Sequence, residues 1–208
     1  PVSAINNGVE LIEDIGDSVV GEAMSLISDS AGQASRKLRY FRLSYGRAGT
    51  ESNQPVKDTR HIIEQYFFAS KITFSWDEDI PLTDMMEKEG SVKALLNAIM
   101  VAEEALAYGG TITLKRLDDE GKIGCILEVA GKKASLSETH LDALTGATPV
   151  EDLTPRTVQA YVTGQFAAQF DFDITSCMLH EEVLKLTITH QSSVSDETPI
   201  NPSEDKGM

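Results

Sequence analysis

Between Val20 and Tyr45 apolar side chains return with heptad regularity. Val20, Met24, Ile27, Ala31, Ala34, Leu38, Phe41 and Tyr45 are spaced 4, 3, 4, 3, 4, 3 and 4 apart. Such a run specifies a long helix with one apolar seam, and a seam of that length has to be covered by other helices. The helix ends near Gly46 and Gly49, residues that terminate helices readily. Upstream, Val2, Ile5, Val9 and Ile12 mark a shorter helical stripe over 2–14. Gly16 and Asp17 break the two apart, and Asp17 or Ser18 is the expected N-cap of the second helix. Helices joined by a tight turn lie antiparallel, yet these do not match in length. The second runs about 28 residues, roughly 40 Å, and the first reaches about half as far. The upper half of the second helix, with Ala34, Leu38 and Phe41, therefore has no local partner. Either another segment or chain covers it, or the first helix originally began before Pro1, and the mismatch favours a truncated start. Two copies side by side bury such a seam as a four-helix bundle, so a homodimer is expected. Packing of a second domain along the seam is the alternative.

After the hairpin (1–47) and a Gly-, Ser- and Pro-containing linker (48–55), the texture changes to mixed elements over 56–190. The patterns predict a helix over 56–70, a strand over 71–76 and a strong helix over 91–108 ending at Gly109-Gly110. A hairpin follows, 111–117 with 122–129, turning through Asp118-Asp119-Glu120-Gly121. Helices over 138–144 and 154–170, the latter with Pro155 in its first turn, precede a second hairpin, 173–179 with 182–189. The order describes one mixed sheet covered by helices, an α/β sandwich, and the whole chain is α+β. The tail, 191–208, is polar and aperiodic and is expected to be disordered.

The 208 residues carry 33 acidic against 18 basic side chains, a net charge of −15. That field repels nucleic acid and anionic lipid except where basic residues cluster. No apolar run approaches the ~18–20 residues that cross a bilayer, and the opening residues carry no signal-peptide pattern. Cys125 and Cys177 form neither a metal-ligand spacing nor a disulfide framework, so a reducing, cytoplasmic setting is the simplest reading. His61, His140, His180 and His190 are scattered, without a carboxylate or cysteine at ligand spacing, and read as surface or capping residues. Glu103-Glu104 and Glu181-Glu182 read as solvated faces. No catalytic-triad order, GxSxG elbow, phosphate-binding loop or GxGxxG is present. One cluster stands apart: Arg36, Lys37, Arg39, Arg42 and Arg47 put five of the 18 basic residues into twelve positions. Arg47, Arg42 and Arg39 suit the negative end of a helix dipole, whereas Arg36 and Lys37 lie two to three turns inward.

The strings PVSAINNGVELIEDIGD, RKLRYFRLSYG, SVKALLNAIMVAEEALAYGGTITL and TPRTVQAYVTGQFAAQF resemble the ChpT-type alphaproteobacterial histidine phosphotransferase family, and the likeness runs through all but the tail. The resemblance implies a pseudo-histidine-kinase: a dimerisation and phosphotransfer hairpin followed by a degenerate GHKL-type domain. It places the phosphoacceptor histidine in a stretch like CHDxxSP whose proline corresponds to Pro1, five residues before Pro1. No catalytic residue of this kind lies in the chain itself. If the hairpin turns between Gly16 and Asp17, the acceptor lies level with about Lys37. Arg36 and Lys37 are then candidates to hold the phosphoryl group or a partner's acidic pocket. Asn97 sits where the kinases hold magnesium. The adenine-reading DxGxG looks replaced by EVAGKKA (128–134) and the Gly-rich lid by TPRTVQAYV (154–162). No nucleotide, metal or other cofactor is therefore expected.

The implied function is a phosphorelay step between receiver-domain aspartates of a hybrid kinase and of response regulators. Receivers are expected to dock along the lower hairpin, with Asn6, Asn7, Glu10, Glu13, Ser25 and Asp29 as candidate contacts. Two other readings stand beside it. A non-enzymatic dimeric adaptor would use the hairpin only to dimerise, and an ATP-dependent sensor kinase would need the lost glycines and aspartate.

Overall fold

A computed structural model describes residues 1–15, 19–47, 56–76, 82–119 and 121–191. The expected turn at Gly16-Asp17, the linker 48–55 and the tail beyond Gln191 lie outside the described residues. Helix α1 (Val2–Ile15) and helix α2 (Val20–Tyr45) pack side by side. Gly8 makes that approach possible, because a Cβ there would come within 2.7 Å of Ile27 Cγ1 and 3.3 Å of the Ala23 carbonyl oxygen. Helix α2 is entered from Val19, which makes no side-chain capping bond.

The heptad seam is not one buried line. Ala23 and Ser30 are buried toward α1, while Met24 and Leu38 on the seam's other edge are 54% and 68% exposed. Near its C-terminus α2 buries a third set, Tyr40, Leu43 and Ser44, against the second domain. The periodicity located the helix; which stripe is covered depends on the neighbours met at each level.

The second domain opens with α3 (Val56–Tyr66) and strand β1 (Ile72–Trp76), followed by a one-turn helix, α4 (Thr83–Met86), that the sequence patterns did not suggest. Helix α5 (Ser91–Glu104) is buried at every position from Ser91 to Ala102. Such a helix has to be enclosed on all sides: α2 and α7 lie against it, and its other face meets the sheet. It ends a turn earlier than predicted, since Ala105–Tyr108 form the turns leading to Gly109 at φ +84°. Strands β2 (Gly110–Arg116) and β3 (Ile123–Ala130) form the first hairpin. Helix α6 (Glu138–Leu144) then packs on α7 (Val158–Gln169). Pro155 lies in the turn before α7 rather than in its first helical turn. Strands β4 (Phe172–His180) and β5 (Val183–His190) complete a sheet of order β1-β2-β3-β5-β4. Among the described strands, only β1 and β2 run parallel.

Alternation along the strands puts Ile112, Leu114, Cys125, Leu127, Val129, Leu184, Leu186 and Ile188 in the core. Their neighbours Thr113, Glu128, Lys185, Thr187 and Thr189 are only partly covered. The result is the expected α+β architecture, a helical hairpin followed by a mixed sheet with helices packed on its apolar face. Among the described residues, no helix is long and apolar enough to cross a membrane.

Candidate functional site: the hairpin and its junction with the sheet domain

The six predicted docking residues, Asn6, Asn7, Glu10, Glu13, Ser25 and Asp29, are all exposed. Helical angles of 100° per residue sort them. Asn7 stands one turn before Leu11, and Asp29 one turn after Leu26. Leu11 and Leu26 are 39% and 43% exposed, on the side of the hairpin opposite Val9 and Met24. Asn6, Glu10, Glu13 and Ser25 point from the backs of their helices. The hairpin therefore has two open apolar edges. Val2, Val9, Met24 and Leu38 form one, and Leu11 with Leu26 forms the other. Sequence reasoning missed the second edge because neither leucine belongs to the stripe that defines its helix.

Arg36 and Lys37 leave α2 about 100° apart, yet both cations come to rest over aromatic rings at the end of α3. Lys37 stands one heptad after buried Ser30 and two after buried Ala23, so it continues the line of α2 that faces α1. Its Nζ lies 5.7 Å from the Tyr66 ring centroid. Arg36 reaches the turn just after α3, where its guanidinium stacks 4.7 Å above the Phe68 ring. The Arg36 Nε is buried with no hydrogen-bond partner.

Higher on α2, the last carbonyls of the helix would be left without intrahelical partners. Side chains from α5 satisfy those of Ser44 and Tyr45. Asn97 Nδ2 donates to the Ser44 carbonyl (2.8 Å) and to the Lys93 carbonyl (2.8 Å), while its Oδ1 accepts from Gln159 Nε2 (3.1 Å). Lys93 Nζ donates to the Tyr45 carbonyl (3.3 Å) and sits 4.3 Å over the Phe166 ring. Burial holds the Lys93 ammonium below its usual range. The Tyr45 hydroxyl donates to Gln159 Oε1, and the Tyr40 hydroxyl donates to the Leu96 carbonyl (2.7 Å). Asn97 is thus the clamp between hairpin and second domain. The segment resembling a lost lid folds partly into α7 and supplies Gln159 to that clamp, and Glu128 of the EVAGKKA stretch pairs with Lys115 on β2. Among the described residues, no cluster of histidine, cysteine and carboxylate side chains is arranged to hold a metal ion.

Beside the clamp, Tyr40 and Tyr66 stack at 4.0 Å, and the Tyr66 hydroxyl donates to Glu103 Oε2 (2.6 Å). Burial, and then the neighbouring Glu103 charge, push the Glu104 carboxyl up to about 7. Glu103-Glu104 is therefore not simply a solvated face: Glu103 holds Tyr66, and Glu104 faces His140 Nε2 at 3.8 Å. The other ring nitrogen of His140 meets Ser137 Oγ at 2.6 Å, at the N-terminus of α6. His61 is exposed on α3, His180 is exposed at the end of β4, and His190 packs edge-on against Phe172.

Comparison with known proteins agrees with this arrangement. Residues 56–178 match the family described as the histidine phosphotransferase C-terminal domain. The chain is 29% identical over 185 residues to the protein phosphotransferase ChpT of Brucella abortus (strain 2308), an alignment covering 88% of this chain and 86% of that protein. A bacterial phosphotransferase solved at 1.7 Å superposes with a TM-score of 0.72 at 27% identity, covering 90% of this chain and 87% of that one. With hairpin, one-sided sheet and family match in agreement, the chain belongs to the histidine phosphotransferase family.

Proposed function

We propose that the chain forms the dimeric body of a phosphorelay histidine phosphotransferase, acting in the cytoplasm between receiver aspartates of a hybrid kinase and of response regulators. Its second domain is a degenerate GHKL-type sandwich that takes no nucleotide. The observation that carries this reading is the register of the hairpin. Gly8 lies against Ala23 and Ile27. Counting outward along antiparallel helices brings Lys37 level with a position about five residues before Pro1, the place the resemblance gives the acceptor histidine. Phosphohistidine carries close to two negative charges, and an ammonium level with it stabilises the transferring group. The phosphoryl passes from a receiver carboxylate to the imidazole nitrogen, and then from that nitrogen to the carboxylate of a second receiver. Positioning and electrostatics do most of the work in such a transfer. The exposed edge of Val2, Val9, Met24 and Leu38 is the face on which a second copy closes a four-helix bundle. The opposite edge, Leu11 and Leu26 with Asn7 and Asp29, is the receiver-docking face.

The test uses the protein as its gene encodes it and a receiver domain carrying radiolabelled aspartyl phosphate. Transfer of label to an alkali-stable, acid-labile linkage, lost when the upstream histidine is replaced by alanine, is the expected result. Binding of the receiver without any such transfer would instead make the protein a dimeric adaptor.

A further inference from the structure

The turn after α3 exposes a phenylalanine that the core does not use. Phe68 is 59% exposed, and Ala69 beside it adopts φ +59°, a left-handed conformation that a non-glycine residue seldom takes. One face of the Phe68 ring carries the Arg36 guanidinium. Between this turn and α2 lies a cleft of about 390 Å³, lined by Ser28, Asp29, Gly32, Gln33, Arg36 and Phe68. Aromatic residues and arginine are among the types enriched in interfaces, and arginine is also enriched at their energetic centres.

We infer that the Arg36–Phe68 cleft is a second contact for the receiver docked on the hairpin, so that the degenerate domain takes part directly in partner recognition. This inference rests on the receiver-docking reading above. Continuity argues for a single occupant: Asp29 belongs both to the docking face and to the cleft lining. Arg36 lies ten residues from Leu26 on one helix, about 15 Å. A standard interface patch of ~800 Å² per partner is roughly 30 Å across and spans both. Charge argues for the same partner. The chain carries −15 overall, yet on the stretch of α2 that lines the cleft Arg36 supplies a cation and exposed Arg39 stands about 60° round the helix from it. That stretch is where a receiver's carboxylate-rich phosphoacceptor face can approach without repulsion. Tyr66, just before the turn, stacks on Tyr40 of α2 at 4.0 Å and donates to Glu103, so the turn and the hairpin are held together and the cleft is formed before the partner arrives.

Titration calorimetry of the full-length protein with an isolated receiver domain that it phosphorylates tests the assignment. Phe68→Ala should weaken binding about 10-fold, Phe68→Trp should retain it, and Arg36→Gln should weaken it while flattening its dependence on salt. Leu26→Glu, on the hairpin alone, serves as the reference and should abolish binding. Unchanged affinity in Phe68→Ala and Arg36→Gln, with binding lost in Leu26→Glu, overturns the cleft and leaves hairpin docking intact. Unchanged affinity in all of these variants overturns both.

Discussion

Asn97 Nδ2 donates a hydrogen bond to the Ser44 carbonyl across 2.8 Å, joining the central helix of the sheet domain to the last turn of the hairpin. Asn97 is fully buried and its amide is engaged on both sides. Asn97→Ala leaves buried carbonyls without donors and should cost about 2–3 kcal/mol. Asn97→Asp sets a carboxylate against those carbonyls and should cost more. Denaturant titration of each variant measures both, and a cost under about 1 kcal/mol would show that the clamp is dispensable.

The Glu104 carboxyl, at about 7 in the folded chain, titrates near 4.3 when unfolded. The folded state therefore binds this proton more tightly, and its stabilising effect is complete below the unfolded value. It is lost as pH rises from about 4.3 through 7. Glu103, His140, Tyr45 and Tyr66 surround the group, and its side chain is 30% exposed. Screening limits the effect to about 1–2 kcal/mol. Glu104→Gln should be more stable than the parent at pH 8 and indistinguishable from it near pH 4, read from thermal melts across pH.

Gly164 is where α7 meets the end of α6: a Cβ there would stand 1.9 Å from the Leu144 carbonyl oxygen. Backbone cannot yield as a side-chain tip can. Gly164→Ala should cost 3 kcal/mol or more, seen as a lowered denaturation midpoint or failure to fold, even though alanine is the better helix former.

Leu38 is 68% exposed on a single chain and lies on the face assigned to the second copy. Leu38→Glu should convert a dimer to monomers in sedimentation equilibrium while leaving the circular dichroism of the sheet domain unchanged. An unaltered dimer mass would place the self-association elsewhere.

Lys37 follows the α1-facing line of α2, and its ammonium is the charge assigned to the phosphoryl. Lys37→Gln should slow transfer about tenfold, equivalent to ~1.4 kcal/mol of transition-state stabilisation. Lys37→Arg should recover most of the rate. An equal loss in both variants would point to packing against Tyr66 rather than to charge.

Much of this molecule was legible in the linear chain. The heptad from Val20 to Tyr45 specified α2, the alternation in Thr111–Val129 and in Asp173–Thr189 specified two hairpins, and α6 (Glu138–Leu144) was read to the residue. These features rest on periodicity and turn chemistry, which act over a few residues and are written locally. Contacts between distant segments are not written that way. Nothing near Asn97 indicates that its amide meets Ser44, 53 positions earlier. Nothing in the Arg36-Lys37 pair shows that one cation meets Phe68 and the other Tyr66, some thirty positions later. Leu11 and Leu26 look unremarkable until the other faces of their helices are covered. Local sequence determined the elements and the family likeness. The tertiary fold decided which faces stay open and which polar groups are consumed, because burial depends on what the rest of the chain brings alongside.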